Sequence, residues 1–253
     1  MAGHSKWHNI KHKKAAQDQK RGKIFTKIMR EIYVAAKQGG PNPDNNPRLR
    51  LAIEMAKEFN MPKDNVERAI KKAVGGTEAE NVEEILFEGY GPGGVALYVS
   101  AITDNRNRTS SQIRAIFSKY GGTLAEAGAV SWMFEMRGVL TFQKAQLGEK
   151  KNQLADFAIE YGAEDINEDK DNVYVICEPK NFDELKNKLK DSGFVCESAE
   201  VTYIPKNTVK VSGKVAESAL KLMEALDEHD DVNKVWSNFE IEDEELERFM
   251  ATA

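Results

Sequence analysis

The chain has few of the features that mark a secreted, membrane-spanning or disulfide-stabilised protein. It contains two cysteines in 253 residues, Cys177 and Cys196, and their spacing matches no metal-binding motif. No apolar run approaches the roughly 20 residues that cross a bilayer, and the N-terminus lacks the apolar centre of a secretory signal. We therefore expect a soluble, cytoplasmic protein with no disulfide framework, no bound metal and no membrane partner.

Signatures of catalysis are also absent. The sequence contains no GxSxG nucleophile motif, no Walker phosphate loop and no cysteine with a candidate histidine in a known arrangement. Residues 89–94 formally satisfy GxGxxG, but they precede a predicted strand, whereas a dinucleotide site needs a strand before the motif and a helix after it. A tight turn explains this segment better, so we expect no enzymatic activity and no cofactor.

Charge, in contrast, is abundant and unevenly distributed. Residues 1–76 contain 17 Lys/Arg and 7 Asp/Glu, a net charge of +10, while the remaining residues contain 19 and 34, a net charge of -15. Binding of Lys and Arg to phosphates releases counterions and needs no base-specific geometry. The N-terminal part therefore predicts a polyanionic partner, and the acidic remainder offers a surface for a protein partner.

The first 22 residues form a basic arm with little apolar periodicity. His4, His8 and His12 are spaced as metal ligands on a helix sometimes are, but the neighbouring lysines would repel a divalent cation. Histidine and Trp7 can instead stack on nucleobases while lysines contact the phosphates. We predict that the arm binds nucleic acid; the simpler alternative is a solvated basic tail without a partner.

Two arginines extend this prediction into the turn at residues 103–111, between a predicted strand and a predicted helix. The first N–H groups and the dipole of a helix favour a phosphate there. Alternatively, Asp104 or Thr109 caps the helix and Arg106 and Arg108 pair with acidic side chains. The full set of predicted nucleic-acid-binding residues is Lys6, Trp7, His8, Lys11, His12, Lys13, Lys14, Lys20, Arg21, Lys23, Lys27, Arg30, Arg106 and Arg108.

Hydrophobic periodicity predicts an α+β protein with an N-terminal three-helix domain and two ferredoxin-like βαββαβ domains, one inserted in the other. The three helices lie within residues 23–79, and Asn46 is placed to cap the second. Residues 137–204 form the inserted domain. The discontinuous domain around it comprises residues 80–136 and 205–245, and its predicted strands cover residues 95–102, 123–127, 130–136 and 232–239.

Three segments carry a family resemblance: AGHSKWHNI at residues 2–10, DNRNRT at residues 104–109, and GGTLAEAGAVSWMF at residues 121–134. Together they resemble the YebC/PmpR family, which includes the mitochondrial translational activator of cytochrome c oxidase subunit I. The resemblance spans essentially the whole chain. It implies a three-domain mixed α/β protein with no known enzymatic reaction, and members described either as DNA-binding transcriptional regulators or as factors that act on the ribosome.

These observations together predict a nucleic-acid-binding regulator of gene expression, and specifically a DNA-binding transcriptional regulator. The alternative is a ribosome-associated translation factor that relieves stalls through contacts with ribosomal RNA or transfer RNA. An arm without a clear recognition helix reads backbone and shape better than base sequence. A helix-turn-helix around residues 60–62 and a metal- or nucleotide-dependent enzyme are the less favoured interpretations.

Overall fold

The computed structural model describes residues 21–75 and 82–252, and it confirms the predicted α+β fold. Short helical turns occur at Pro92–Gly94, Ser131–Met133, Lys144–Leu147, Gly148–Lys150 and Pro179–Asn181. The longer elements are, in chain order, α1 (Arg21–Gly39), α2 (Pro47–Glu58), α3 (Lys63–Val74), β1 (Glu83–Tyr90), β2 (Ala96–Thr103), α4 (Arg106–Lys119), β3 (Thr123–Ala125), β4 (Phe134–Gln143), α5 (Lys151–Glu160), β5 (Asp165–Glu168), β6 (Asn172–Cys177), α6 (Phe182–Asp191), β7 (Ser198–Pro205), β8 (Val209–Lys210), α7 (Gly213–Asp227), β9 (Val232–Ser237), β10 (Phe239–Glu240) and α8 (Asp243–Thr252).

The first three helices enclose one apolar core, which includes Ile32, Leu49 and Ala56. Asn46 caps α2 as predicted: its Oδ1 accepts a hydrogen bond from the Leu49 N–H at 3.1 Å, and its Nδ2 donates to the Ala35 carbonyl at 2.8 Å. This one buried side chain thus accepts a hydrogen bond from a free N–H group at the start of α2 and also joins α2 to α1. Arg21, which the sequence assigned to the arm, lies in α1.

The first sheet has the strand order β3-β1-β2-β9, and every neighbouring pair is antiparallel. Its core, with Val99, Ile113 and Leu220, lies between the strands and helices α4 and α7. Strand β1 corrects the sequence prediction, in which the strands of this domain begin only at residue 95. Glu83 and Glu84 at its start concealed a strand whose Ile85 and Phe87 point into the core.

The predicted strand at residues 130–136 is wrong for residues 130–133 and for the sheet it joins, whereas residues 134–136 are in a strand. Ser131–Met133 forms a helical turn, and Phe134 begins β4, which pairs in the second sheet. The physical reason is that the Glu88 carboxylate accepts the Val130 and Ser131 N–H groups, at 2.6 and 2.8 Å. These two N–H groups are therefore bonded to a side chain rather than to a neighbouring strand. Strand β1 occupies the position between β3 and β2 in the first sheet, where residues 130–136 were expected.

The second sheet has the order β5-β6-β4-β7, which is the antiparallel arrangement predicted for a βαββαβ unit. Helix α6 packs closely on β4 because Gly138 has no side chain: a Cβ there would lie 2.7 Å from the Phe182 ring. Residues 132–208 form one compact unit, while the described residues before and after them form another. The domain boundaries at residues 23, 80, 137 and 205 stay a proposal.

Among the described residues, no helix has the length and apolarity that a membrane span requires. The same part of the chain contains no group of three or more His, Cys, Asp or Glu side chains that could hold a metal ion. Cys177 is buried and Cys196 is half-buried, and no disulfide joins the two.

Candidate nucleic-acid interface

The predicted binding residues divide between α1, the start of α4 and the arm. Residues 1–20 lie outside the described residues, and with them the predicted contacts of Lys6, Trp7, His8, Lys11, His12, Lys13, Lys14 and Lys20. Arg21, Lys23, Lys27 and Arg30 lie on α1, and Arg106 and Arg108 lie in the first turn of α4.

Three cations of α1, Lys23, Lys27 and Arg30, face the acidic turn that follows α7. Lys23 Nζ lies 3.5 Å from Asp230 Oδ1, and Lys27 Nζ donates to the Asp227 carbonyl. Arg30 Nη1 donates to the Asp230 carbonyl at 2.6 Å and to Asp231 Oδ1 at 3.1 Å. The basic edge of α1 is thus held against residues 227–231.

Asp231 lies at the centre of these contacts. Its side chain is 5% exposed, and its Oδ2 accepts hydrogen bonds from Arg108 Nη2 at 2.8 Å and Thr109 Oγ1 at 2.7 Å. Burial would raise the pKa of Asp231, but the hydrogen bonds from Arg108 and Thr109 outweigh it and hold the pKa below its ordinary value. The carboxylate therefore stays ionised and joins Arg30 of α1 to Arg108 of α4.

The cap of α4 differs from the prediction. Asn105, rather than Asp104 or Thr109, caps the helix, since its Oδ1 accepts the Arg108 N–H at 3.0 Å. Asp104 instead accepts from Arg108 Nη2 at 2.9 Å, and Arg106 Nη1 lies 3.5 Å from Glu83 Oε2. The two arginines thus have acidic partners, as the alternative interpretation expected, and their binding of phosphate stays a prediction.

A surface pocket of about 440 Å³ opens at this point, lined in part by Lys23, Arg30, Arg108, Gln112 and His229. The Asp231 N–H donates to His229 Nδ1 at 3.1 Å, which leaves Nε2 as the protonated nitrogen facing Gln112 Oε1 at 3.0 Å. Burial lowers the pKa of His229 despite the nearby aspartates. The lowered pKa favours the neutral imidazole, which contributes hydrogen bonding without charge.

Sequence reasoning missed Gln112, His229 and Asp231 as members of this site. The only local signal was the His-Asp-Asp triplet at residues 229–231, which is indistinguishable in sequence from an ordinary acidic loop. Their grouping with Arg30 depends on tertiary contacts between positions 201 residues apart.

Other cations of the helical domain differ in availability. Arg48 is committed to a structural network, because its guanidinium donates to both Glu31 and Glu84. Lys63, Arg68 and Lys71 are exposed on α3 and make no ion pair with the residues the structure describes. These three side chains are open to a polyanion in solution.

The third family segment, residues 121–134, has a structural explanation. Glu88 is 6% exposed and accepts N–H groups from Gly128, Val130 and Ser131 at 2.8, 2.6 and 2.8 Å. Burial would raise its pKa, but these backbone hydrogen bonds lower it on balance. The small residues let the segment fold around one buried carboxylate.

Comparison with known proteins finds similarity along the whole chain. A "Probable transcriptional regulatory protein" from Thermotoga maritima is 51% identical over 99% of this chain and 98% of its own. A protein of the same description from Dictyoglomus thermophilum is 53% identical over 98% and 99%, respectively. The crystal structure of a conserved hypothetical protein from Aquifex aeolicus is 46% identical, with a TM-score of 0.80 over 89% of this chain and 93% of that one.

Family models match both parts of the sequence. Residues 5–76 match the "TACO1/YebC protein N-terminal domain", and residues 82–239 match the "TACO1/YebC second and third domain". The N-terminal match includes all of the basic arm from residue 5 onward and all three helices, and the second match includes Arg106, Arg108 and Asp231. The chain therefore belongs to the TACO1/YebC family.

Proposed function

We propose that this protein is a regulator of gene expression that binds nucleic acid through its N-terminal basic segment, with DNA as the target. The observation that carries the proposal is the net charge of +10 on residues 1–76 in a chain whose remainder carries -15. The description of its relatives as transcriptional regulatory proteins supports the regulatory class and favours DNA.

The described cations support contact with the nucleic-acid backbone rather than reading of bases. Lys63, Arg68 and Lys71 share α3 with Asp64 and Glu67, so this helix presents both signs of charge. Such a surface can follow phosphates but is poorly suited to the bidentate base contacts that specify sequence. We therefore expect weak sequence preference and a steep dependence of affinity on salt.

The same features favour a second target, the ribosome, because backbone and shape recognition is the usual mode for structured RNA. In that case the protein regulates translation, and the basic arm contacts ribosomal RNA or transfer RNA. The acidic remainder offers a surface for a protein partner in either setting.

Competition between the two targets tests the proposal. The full chain is titrated with a fluorescent DNA duplex across a salt series, and then with purified ribosomes as competitor at physiological salt. Retention of the duplex supports the transcriptional role, while its complete displacement by ribosomes supports the translational one. Failure to bind either target at low salt would contradict nucleic-acid binding altogether.

A further inference from the structure

The pocket between α1, α4 and the turn at residues 227–231 contains several hydrogen-bond donors that have no acceptor among the described residues. Arg108 uses only Nη2 in its contacts with Thr103, Asp104 and Asp231, and Arg30 uses only Nη1. Their other guanidinium nitrogens make no hydrogen bond with the described residues, and neither does Gln112 Nε2. These donors line one cavity.

Three acidic residues line this cavity, Glu228, Asp230 and Asp231, and the two aspartates have different roles in it. Asp231 is buried, and its two carboxylate oxygens accept hydrogen bonds from Arg30 and Arg108. It therefore orients the two arginines and leaves their other guanidinium nitrogens available. Asp230 is 72% exposed at its side chain, and among the described residues its carboxylate has one ion-pair partner, Lys23 at 3.5 Å. A weakly held surface carboxylate of this kind is easily displaced, because an exposed ion pair contributes little.

We propose that this pocket binds one backbone phosphate of a nucleic acid, with Arg108, Arg30 and Lys23 as its ligands, Asp231 as the positioning residue, and Asp230 as an internal anion that the phosphate displaces. The proposal rests on the proposed function and adds to it a defined phosphate site. Phosphate suits the pocket because its oxygens accept several charge-assisted hydrogen bonds at once. Gln112 supplies a neutral donor beside them.

This arrangement predicts opposite effects from neighbouring substitutions. Arg108→Gln and Lys23→Gln each remove a phosphate ligand, so affinity should fall by about tenfold and about threefold, respectively. Each should also lower the slope of log affinity against log salt by about one phosphate's share. Asp230→Asn removes the competing anion and should strengthen binding by about threefold.

Matched controls separate these effects from a change in net charge. Arg114→Gln removes a cation from the same helix outside the pocket, and Asp156→Asn removes an exposed acid from the other compact unit. Both controls should bind within about twofold of the wild type. Thermal unfolding of every variant confirms that it is folded; if Arg108→Gln is not, Lys23→Gln and Asp230→Asn carry the test.

The probes are a DNA duplex, a structured ribosomal RNA fragment and inorganic phosphate, each added to the full chain. The nucleic acid whose affinity responds to the pocket variants identifies the source of the phosphate. Phosphate alone should shift the backbone amide signals of Arg108 and His229 in NMR spectra of the wild type. If the wild type binds nucleic acid but Lys23→Gln and Asp230→Asn bind with the same affinity as their controls, the phosphate site is overturned and the proposed function stands. If the wild type binds neither nucleic acid, both are overturned.

Discussion

Arg48 donates two hydrogen bonds to the Glu84 carboxylate, at 2.8 and 3.0 Å, and so connects α2 to β1. The same guanidinium contacts Glu31 of α1 at 2.6 and 3.0 Å. Burial alone would raise the pKa of Glu84, but the Arg48 hydrogen bonds lower it on balance. One arginine thus holds two carboxylates where the three-helix domain meets the first sheet.

Arg48→Gln should therefore destabilise the protein by about 2 kcal/mol, because it leaves two partly buried carboxylates without their cation. The exposed Arg68 on α3 provides a matched control, and Arg68→Gln should change stability by less than about 0.5 kcal/mol. Chemical denaturation measures both. Equal stability of the two variants would show that Arg48 does not hold the helices on the sheet.

The Glu88 carboxylate provides a second test, of the segment at residues 121–134. Glu88→Gln keeps the shape but replaces one acceptor oxygen with an N–H donor that opposes backbone donors. Because hydrogen bonds to a charged group contribute about 1.5–3 kcal/mol, we expect a loss of at least about 2 kcal/mol. Glu126→Gln, at an exposed position of the same segment, serves as control. If Glu88→Gln destabilises the protein no more than Glu126→Gln does, the role assigned to Glu88 is contradicted.

The lowered pKa of Asp231 predicts how stability depends on pH. The carboxylate binds protons less readily in the folded state than in the unfolded state, so its stabilisation is complete above the unfolded-state pKa of about 4. The stabilisation is then lost as pH falls through the lower, folded-state pKa. Asp231→Asn should flatten this acid-side dependence relative to the wild type. Denaturant midpoints measured from neutral pH downward would show the difference, and identical profiles would refute it.

Gly89 tests the interpretation of the glycine-rich segment. This residue lies in β1, and a Cβ there would lie 2.7 Å from the Thr123 carbonyl and 2.5 Å from the Phe117 ring. Gly89→Ala should therefore cost about 1–3 kcal/mol, since both α4 and β3 would have to move. Gly128→Ala, where no atom approaches a Cβ but φ is +90°, separates crowding from backbone strain. If the melting temperature of Gly89→Ala falls no further than that of a surface variant, the crowding at this position is contradicted.

Local signals made much of the fold predictable from the sequence. The three helices and the Asn46 cap follow from periodicity and from residues three positions apart. Strand β1 did not, because Glu83 and Glu84 concealed its alternation, and the turn at residues 131–133 depends on a carboxylate more than 40 residues earlier in the chain. The pocket was unpredictable for the same reason: Arg108 and Asp231 are 123 residues apart.

The central claim is that the N-terminal positive charge binds nucleic acid, and charge substitution in the full chain tests it most directly. The test variant replaces Lys6, Lys11, Lys13 and Lys14 with glutamine; the control replaces four exposed lysines of the other compact unit, Lys150, Lys170, Lys190 and Lys206. DNA and ribosome affinities are measured across a salt series for both. We predict that the arm variant loses affinity and salt slope for its target while the control retains them. Equal affinities and equal slopes for the two variants would contradict the account.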